Sequence, residues 1–257
     1  MGAGKRRRAL EITLAILVVL GIGALLLGTG VFVVRTVTVQ GTESFTPEQV
    51  IQLSGIRDRQ SIFTVSAEGI QTQFARNRYL VLDAMQINYP NELVLHVHER
   101  KPRAAITRLG RLALLDEEGW ILELDREMAE GIPLITGVDA VALVAGQPIN
   151  SRIPAQVTGL RTILHELILQ AVIDHIEEIN LANVDNLYLM TRSGMKVELG
   201  TADDMESKIG MMRGTLTELA KEGIYSGTLD VAIVSVADYQ ASKVYRYEFV
   251  PDPTAPM

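Results

Sequence analysis

Two histidines one residue apart, His96-Val97-His98, are the most suggestive metal candidate in the sequence. On a strand, alternation puts both imidazoles on one face, where they could bind zinc. Val94 and Arg100 share that face, however, and an arginine is a poor neighbour for a dication. No third ligand is evident nearby, so a solvated polar face is the simpler reading, with Leu93, Leu95 and Val97 turned to a core. His165-Glu166 starts like a zinc-protease motif, but Leu169 stands where the second histidine is required. Asp174-His175 and Glu177-Glu178 fall on a predicted strand and alternate outward. Glu117-Glu118 and Asp203-Asp204 fall at a turn and at a helix start, where solvation and the helix dipole account for them. Neither a nucleophile elbow nor a phosphate-binding glycine loop occurs. The chain has no cysteine, which removes thiolate ligands, cysteine nucleophiles and disulfides together. No nucleophile, acid–base pair or metal site with a supporting partner can be assembled. The expectation is a binding protein with no catalytic residue, metal or cofactor.

Charge and hydropathy divide the chain. Residues 1–35 carry Lys5, Arg6, Arg7, Arg8 and Arg35 against Glu11, a net of +4; with the whole chain at −7, the remainder carries −11. So acidic a remainder repels phosphate backbones and argues against nucleic acid as a partner. From Ile12 to Val34 run 23 residues without a charge. At ~1.5 Å per residue, a helix of that length crosses a hydrocarbon core of ~30 Å. Residues 12–34 are therefore expected to be a transmembrane helix. The basic cluster ahead of it places residues 1–11 in the cytoplasm and the rest outside. A cleaved signal peptide competes, but its apolar core is usually ~7–15 residues long, and no clear A-x-A site follows.

Past the anchor, alternating β-branched residues predict a strand over residues 35–41. Thr46, Pro47 and Gln49 form a helix start with a capping box, and Gly55 ends that helix. A second helix starts near Ser66, with Ile70 and Phe74 on one face. Strands follow over 80–88 and 93–100, joined by a turn at Tyr89-Pro90-Asn91. The order β-α-α-β-β makes a small sheet with two helices, which leaves an edge strand open. Further on, a hairpin is predicted from 111–115 and 120–124, with Trp120 in the core. An irregular stretch spans 125–152. A helix over 154–170 carries Val157, Leu160, Leu164, Leu167 and Ala171. Strands are predicted over 174–181, 186–191 and 195–199. Thr201 and Asp204 are read as a capping box opening a helix whose apolar stripe is Met205, Ile209, Met212, Leu216 and Leu219, closed by Gly223. Two last strands are expected over 228–234 and 242–250, and a disordered tail over 251–257. The fold class is α+β.

Ordered pieces of this chain resemble the bacterial cell-division family FtsQ/DivIB. They are Val37-Thr-Val-Gln-Gly41, Ser54-Gly-Ile56, Ser61-Ile-Phe63, and Tyr89-Pro90 leading into Val97-x-Glu99-Arg100-x-Pro102-x-Ala104. Then come Leu115-Asp116-x-x-Gly119, Ile132-Pro133-x-Ile135-x-Gly137, Leu199-Gly200 with Lys208, and Leu229-Asp230-Val231. The E-R-x-P-x-A junction is the most specific. The chain departs from the family at Tyr79-Leu80-Val81, where a P-x-V element is usual. The resemblance implies a POTRA-like domain over 35–102, a β-rich domain with flanking helices over 103–250, and no enzymatic activity. It further implies FtsL-like and FtsB/DivIC-like membrane partners at the division septum, other division proteins meeting the POTRA-like domain, and a part in controlling septal peptidoglycan synthesis. Partner binding is implied on the last strand, at Val244, Tyr245, Arg246, Tyr247, Glu248 and Phe249, where a segment adds as a further strand. Tyr245 and Phe249 could equally close the domain core. Two other readings stay open: an anchored envelope hydrolase, and a POTRA module of another envelope assembly system.

Overall fold

The computed structural model describes residues 12–18, 20–21, 30–125, 131–233 and 246–248. The chain divides into two compact units, Met1–Arg100 and Lys101–Met257.

In the first unit, β1 (Thr36–Gln40) is followed by α1 (Pro47–Ser54), α2 (Ala67–Asn77), β2 (Leu80–Asn88) and β3 (Glu92–Glu99). Thr46 caps α1 through a reciprocal capping box with Gln49, and Gly55 closes it in the left-handed region at φ 72°. Ser66 caps α2 by accepting from the Gly69 amide. The three strands lie in the order β1-β3-β2, with β3 parallel to β1 and antiparallel to β2. The central strand is the most buried, and its Leu95 and Val97 pack with Val50, Ile70, Phe74 and Leu80 in one core. Among the described residues, both outer strands leave an edge.

The apolar run over 12–34 does not behave as one element. Residues 12–18 and 20–21 are helical, and Ile12, Leu14 and Leu20 are exposed. Residues 30–34 are not helical, which corrects the expected end of the anchor. Val33 bridges to Ser61, the Ile62 amide donates to the Phe32 carbonyl (2.9 Å), and the Val34 amide donates to that of Gln60 (2.8 Å). Val34 is buried with Ile62 and Leu93. These residues find both strand-type partners and a core, and these outweigh continuation of a helix. Among the described residues, no helix is long and apolar enough to cross a membrane. The basic tail over 1–11 and most of the run's middle lie outside the described residues, as does the tail over 251–257.

The second unit is built on a nine-stranded sheet. Its strands are β4 (Ala104–Arg108), β5 (Arg111–Leu115), β6 (Ile121–Leu124), β7 (Leu134–Thr136), β8 (Ile176–Asn180), β9 (Leu187–Thr191), β10 (Met195–Gly200), β11 (Gly227–Asp230) and β12 (Arg246–Glu248). They lie in the order β12-β11-β10-β9-β8-β7-β4-β5-β6. Two helices, α3 (Pro154–Leu169) and α4 (Met205–Lys221), share one core with the strands. Leu160, Ile163, Leu164 and Leu167 of α3 and Met205, Ile209 and Met212 of α4 are buried in it.

Several expectations change here. Strand β4 was not anticipated, and β7 lies inside the stretch read as irregular. Residues 173–175 form a 3-10 turn, so Asp174 and His175 precede the strand rather than lie on it. Ala171 is exposed, at φ 55° beyond the end of α3, and Val172 takes the buried place. Trp120 is only half-buried, bridging to Pro148, while Ile121 and Leu122 are buried. The expected capping box at α4 does not form. Asp204 sits at φ 50° with no side-chain cap, and the Thr201 hydroxyl donates to Asp203 instead.

Candidate functional site

The expected binding strand falls at one end of the large sheet. β12 pairs antiparallel with β11 in the register Thr228↔Glu248, Leu229↔Tyr247 and Asp230↔Arg246. It is last in the strand order, so among the described residues its outer edge has no neighbour. Along such an edge, unpaired N–H and C=O groups alternate and form a template for an added strand. Of the six residues expected to bind, Arg246, Tyr247 and Glu248 stand on β12. Val244, Tyr245 and Phe249 lie outside the described residues.

The edge is held in place from within. β11 lies parallel to β10, from Met195↔Gly227 to Glu198↔Asp230, and α4 makes the connection between them. Leu229, Val197 and Met195 fix this pair to the core. Two features then stop β11 and turn the chain. The Asp230 carboxylate accepts from the Ala232 amide (2.9 Å), closing a turn at the strand end. Gly200 adopts φ 66°, and a Cβ there would lie 2.9 Å from that of Ala232, so only glycine lets the two segments pass so closely. Lys208 is buried at the start of α4 and donates to the Thr201 carbonyl (2.8 Å). Burial pushes its ammonium below the ordinary lysine value, against the opposing pull of Asp203 and Asp204. The motif residues Leu199, Gly200, Lys208 and Asp230 thus hold the strand pair next to the edge.

The middle of the same sheet, where β7 and β8 end, is tied by Gln156, which is buried and fully paired. Its Oε1 accepts from the Ser151 hydroxyl (2.7 Å) and the Asp139 amide (3.0 Å), and its Nε2 donates to the carbonyls of Gly137 and Leu181 (2.9 Å each). No sequence signal marked this glutamine, because a polar residue on a helix is normally read as solvated.

The other chemical candidates are dispersed. His98 is exposed and its Nδ1 meets the Asp83 carboxylate at 2.6 Å, while His96 is half-buried. Among the described residues, no three metal-ligating groups come together. His165 is exposed on α3, and Glu166 accepts from Gln170 at the helix end. Glu178 accepts from the Thr136 hydroxyl and Asn180, bracing β8 against β7. A groove of about 760 Å³ opens in the second unit beside α4, with Met195, Met212, Leu216 and Ile224 in its lining and His175, Arg192 and Arg213 among its polar groups. No carboxylate lines it.

Residues 32–100 match the POTRA domain, FtsQ-type, and residues 104–238 match the family model for cell division protein FtsQ/DivIB, C-terminal. The second match stops short of β12. The chain is 27% identical over 201 residues to the cell division protein FtsQ of Syntrophotalea carbinolica, covering 77% of this chain and 70% of that one. It is 22% identical over 199 residues to the cell division protein DivIB of Clostridium tetani, covering 75% and 74%. Against the FtsQ of Streptomyces bingchenggensis, identity is 27% over 133 residues, and the match spans half of that protein's length. Since the C-terminal family model alone covers more than half of the residues, and the FtsQ-type POTRA model covers the unit ahead of it, the chain belongs to the FtsQ/DivIB family of cell-division proteins.

Proposed function

We propose that this protein is a non-catalytic scaffold of the bacterial division machinery. The uncharged run from residue 12 anchors it in the cell membrane, with the N-terminus cytoplasmic and both units outside. At the septum it binds FtsL-like and FtsB/DivIC-like bitopic proteins and helps control septal peptidoglycan synthesis. Other division proteins meet the POTRA domain. The observation that carries the reading is the edge of β12, which has no neighbour among the described residues, at the end of a sheet whose other strands are fixed by a continuous core. A partner segment adding there would gain backbone hydrogen bonds for affinity and side-chain contacts on alternate residues for register.

Depletion in the native host, together with a fluorescent fusion, tests the role. The expected result is a band at the septum and cells that elongate or chain without dividing. An evenly distributed fusion with undisturbed division contradicts it.

A further inference from the structure

The first unit carries an aromatic row that begins at Phe32, packed against the core of Val34, Ile62 and Leu93, and runs out into solvent. The rings of Phe32 and Phe63 lie 5.4 Å apart between centroids, and those of Phe63 and Tyr89 lie 6.0 Å apart. Phe63 is 55% exposed and Tyr89 63%. Contiguous exposed apolar surface of this kind marks a contact with something other than water.

Chain connectivity says what that contact is. Phe32 belongs to the 23-residue uncharged run and stands three residues before Arg35, the first charge beyond it. It is also bound into the unit, through the Ile62 amide and the neighbouring bridge of Val33 to Ser61. The last residues of the apolar run are therefore part of the folded unit. Whatever depth the end of that run occupies, Phe63 and Tyr89 share it through direct ring contact. The loop that ends at Gln60, which accepts from the Val34 amide, carries Arg57 and Arg59, and Arg35 follows Val34 directly. All three arginines are exposed, and Asp58 lies between the two in the loop.

We propose that Phe32, Phe63 and Tyr89 form a membrane-interface patch. The rings lie at headgroup level of the leaflet the chain leaves, and Arg35, Arg57 and Arg59 face lipid phosphates. Tyrosine favours that zone because its apolar ring and its polar hydroxyl are both satisfied there, the two phenylalanine rings gain by leaving water, and exposed arginines are attracted to anionic headgroups. The patch rests on the membrane anchoring proposed above. It sets the first unit directly on the bilayer, with its height and tilt defined by two further points besides the anchor itself.

The test uses the full chain in vesicles of phosphatidylcholine and phosphatidylglycerol, with bromine placed high on the acyl chains. In a Trp120→Phe background a single indole is introduced by Phe63→Trp, by Tyr89→Trp or, as a control within the apolar run, by Leu20→Trp. The expected result is loss of most of the emission at both loop sites relative to unbrominated vesicles, with the Leu20→Trp indole quenched by bromine placed deeper. If the Leu20→Trp indole is quenched and both loop indoles stay bright, the patch is overturned and the anchor stands. If the Leu20→Trp indole is not quenched at any depth, the anchoring fails and the patch falls with it.

Discussion

The Glu99 carboxylate accepts from three successive amides, those of Glu43 (2.7 Å), Ser44 (2.8 Å) and Phe45 (3.2 Å), and so closes the loop between β1 and α1. Partial burial alone would raise this carboxyl, but the Ser44 hydroxyl and the three amides outweigh it and hold the group below its ordinary value of 4.5. A carboxyl lowered in the folded state stabilises above its unfolded pKa and loses that contribution as pH falls through the folded one. The Glu99→Gln variant is expected to be about 1–2 kcal/mol less stable near neutral pH. Its deficit should shrink below the ordinary carboxylate range, and urea unfolding as a function of pH measures both. Gln156 supports a stronger expectation. Gln156→Leu takes the shared partner from the Asp139 amide and from the Gly137 and Leu181 carbonyls, leaves the Ser151 hydroxyl only the Asp139 carbonyl (3.2 Å), and should cost about 2–4 kcal/mol, visible as a lower urea midpoint for the second unit.

At the level of elements, Gly200 governs how β10 and the segment after β11 pass one another. Gly200→Val is expected to cost about 1–3 kcal/mol and to speed amide exchange at Leu229 and Val231 while leaving the first unit unchanged. Exchange that stays as slow as in the wild type would show that the close approach to Ala232 is not needed. The elements of the first unit were legible because their signals are local: Thr46, Pro47 and Gln49 write a capping box, Gly55 a stop, and Leu93, Leu95 and Val97 a strand face. The second unit was legible only where periodicity had room. β7 has three residues and is held by parallel neighbours far away in sequence, Ala105↔Leu134 on one side and Ile135↔Ile179 on the other. Such pairing leaves no mark within three residues. Asp204 illustrates the opposite error, a cap-like residue whose backbone is left-handed and whose side chain caps nothing. The edge position of β12 could not be read from periodicity, since strand order depends on which neighbours are absent; the family resemblance pointed to it.

For the whole molecule, the absence of native cysteine makes topology directly measurable. A Gly4→Cys variant should resist a membrane-impermeant maleimide in intact cells or spheroplasts, and Thr217→Cys, on the exposed side of α4, should react. Equal labelling of both would contradict the proposed orientation. β12 is the proposed partner-binding edge. It is tested most directly by titrating the full chain in lipid nanodiscs with the extracytoplasmic part of the FtsL–FtsB/DivIC pair, beside a Tyr247→Lys/Phe249→Lys variant. Saturable binding by the wild type and its loss in a variant that keeps the wild-type unfolding midpoint is the predicted result. Equal binding by the two chains would contradict the edge as the site, and no binding by the wild type to well-folded partners would contradict the scaffold role itself.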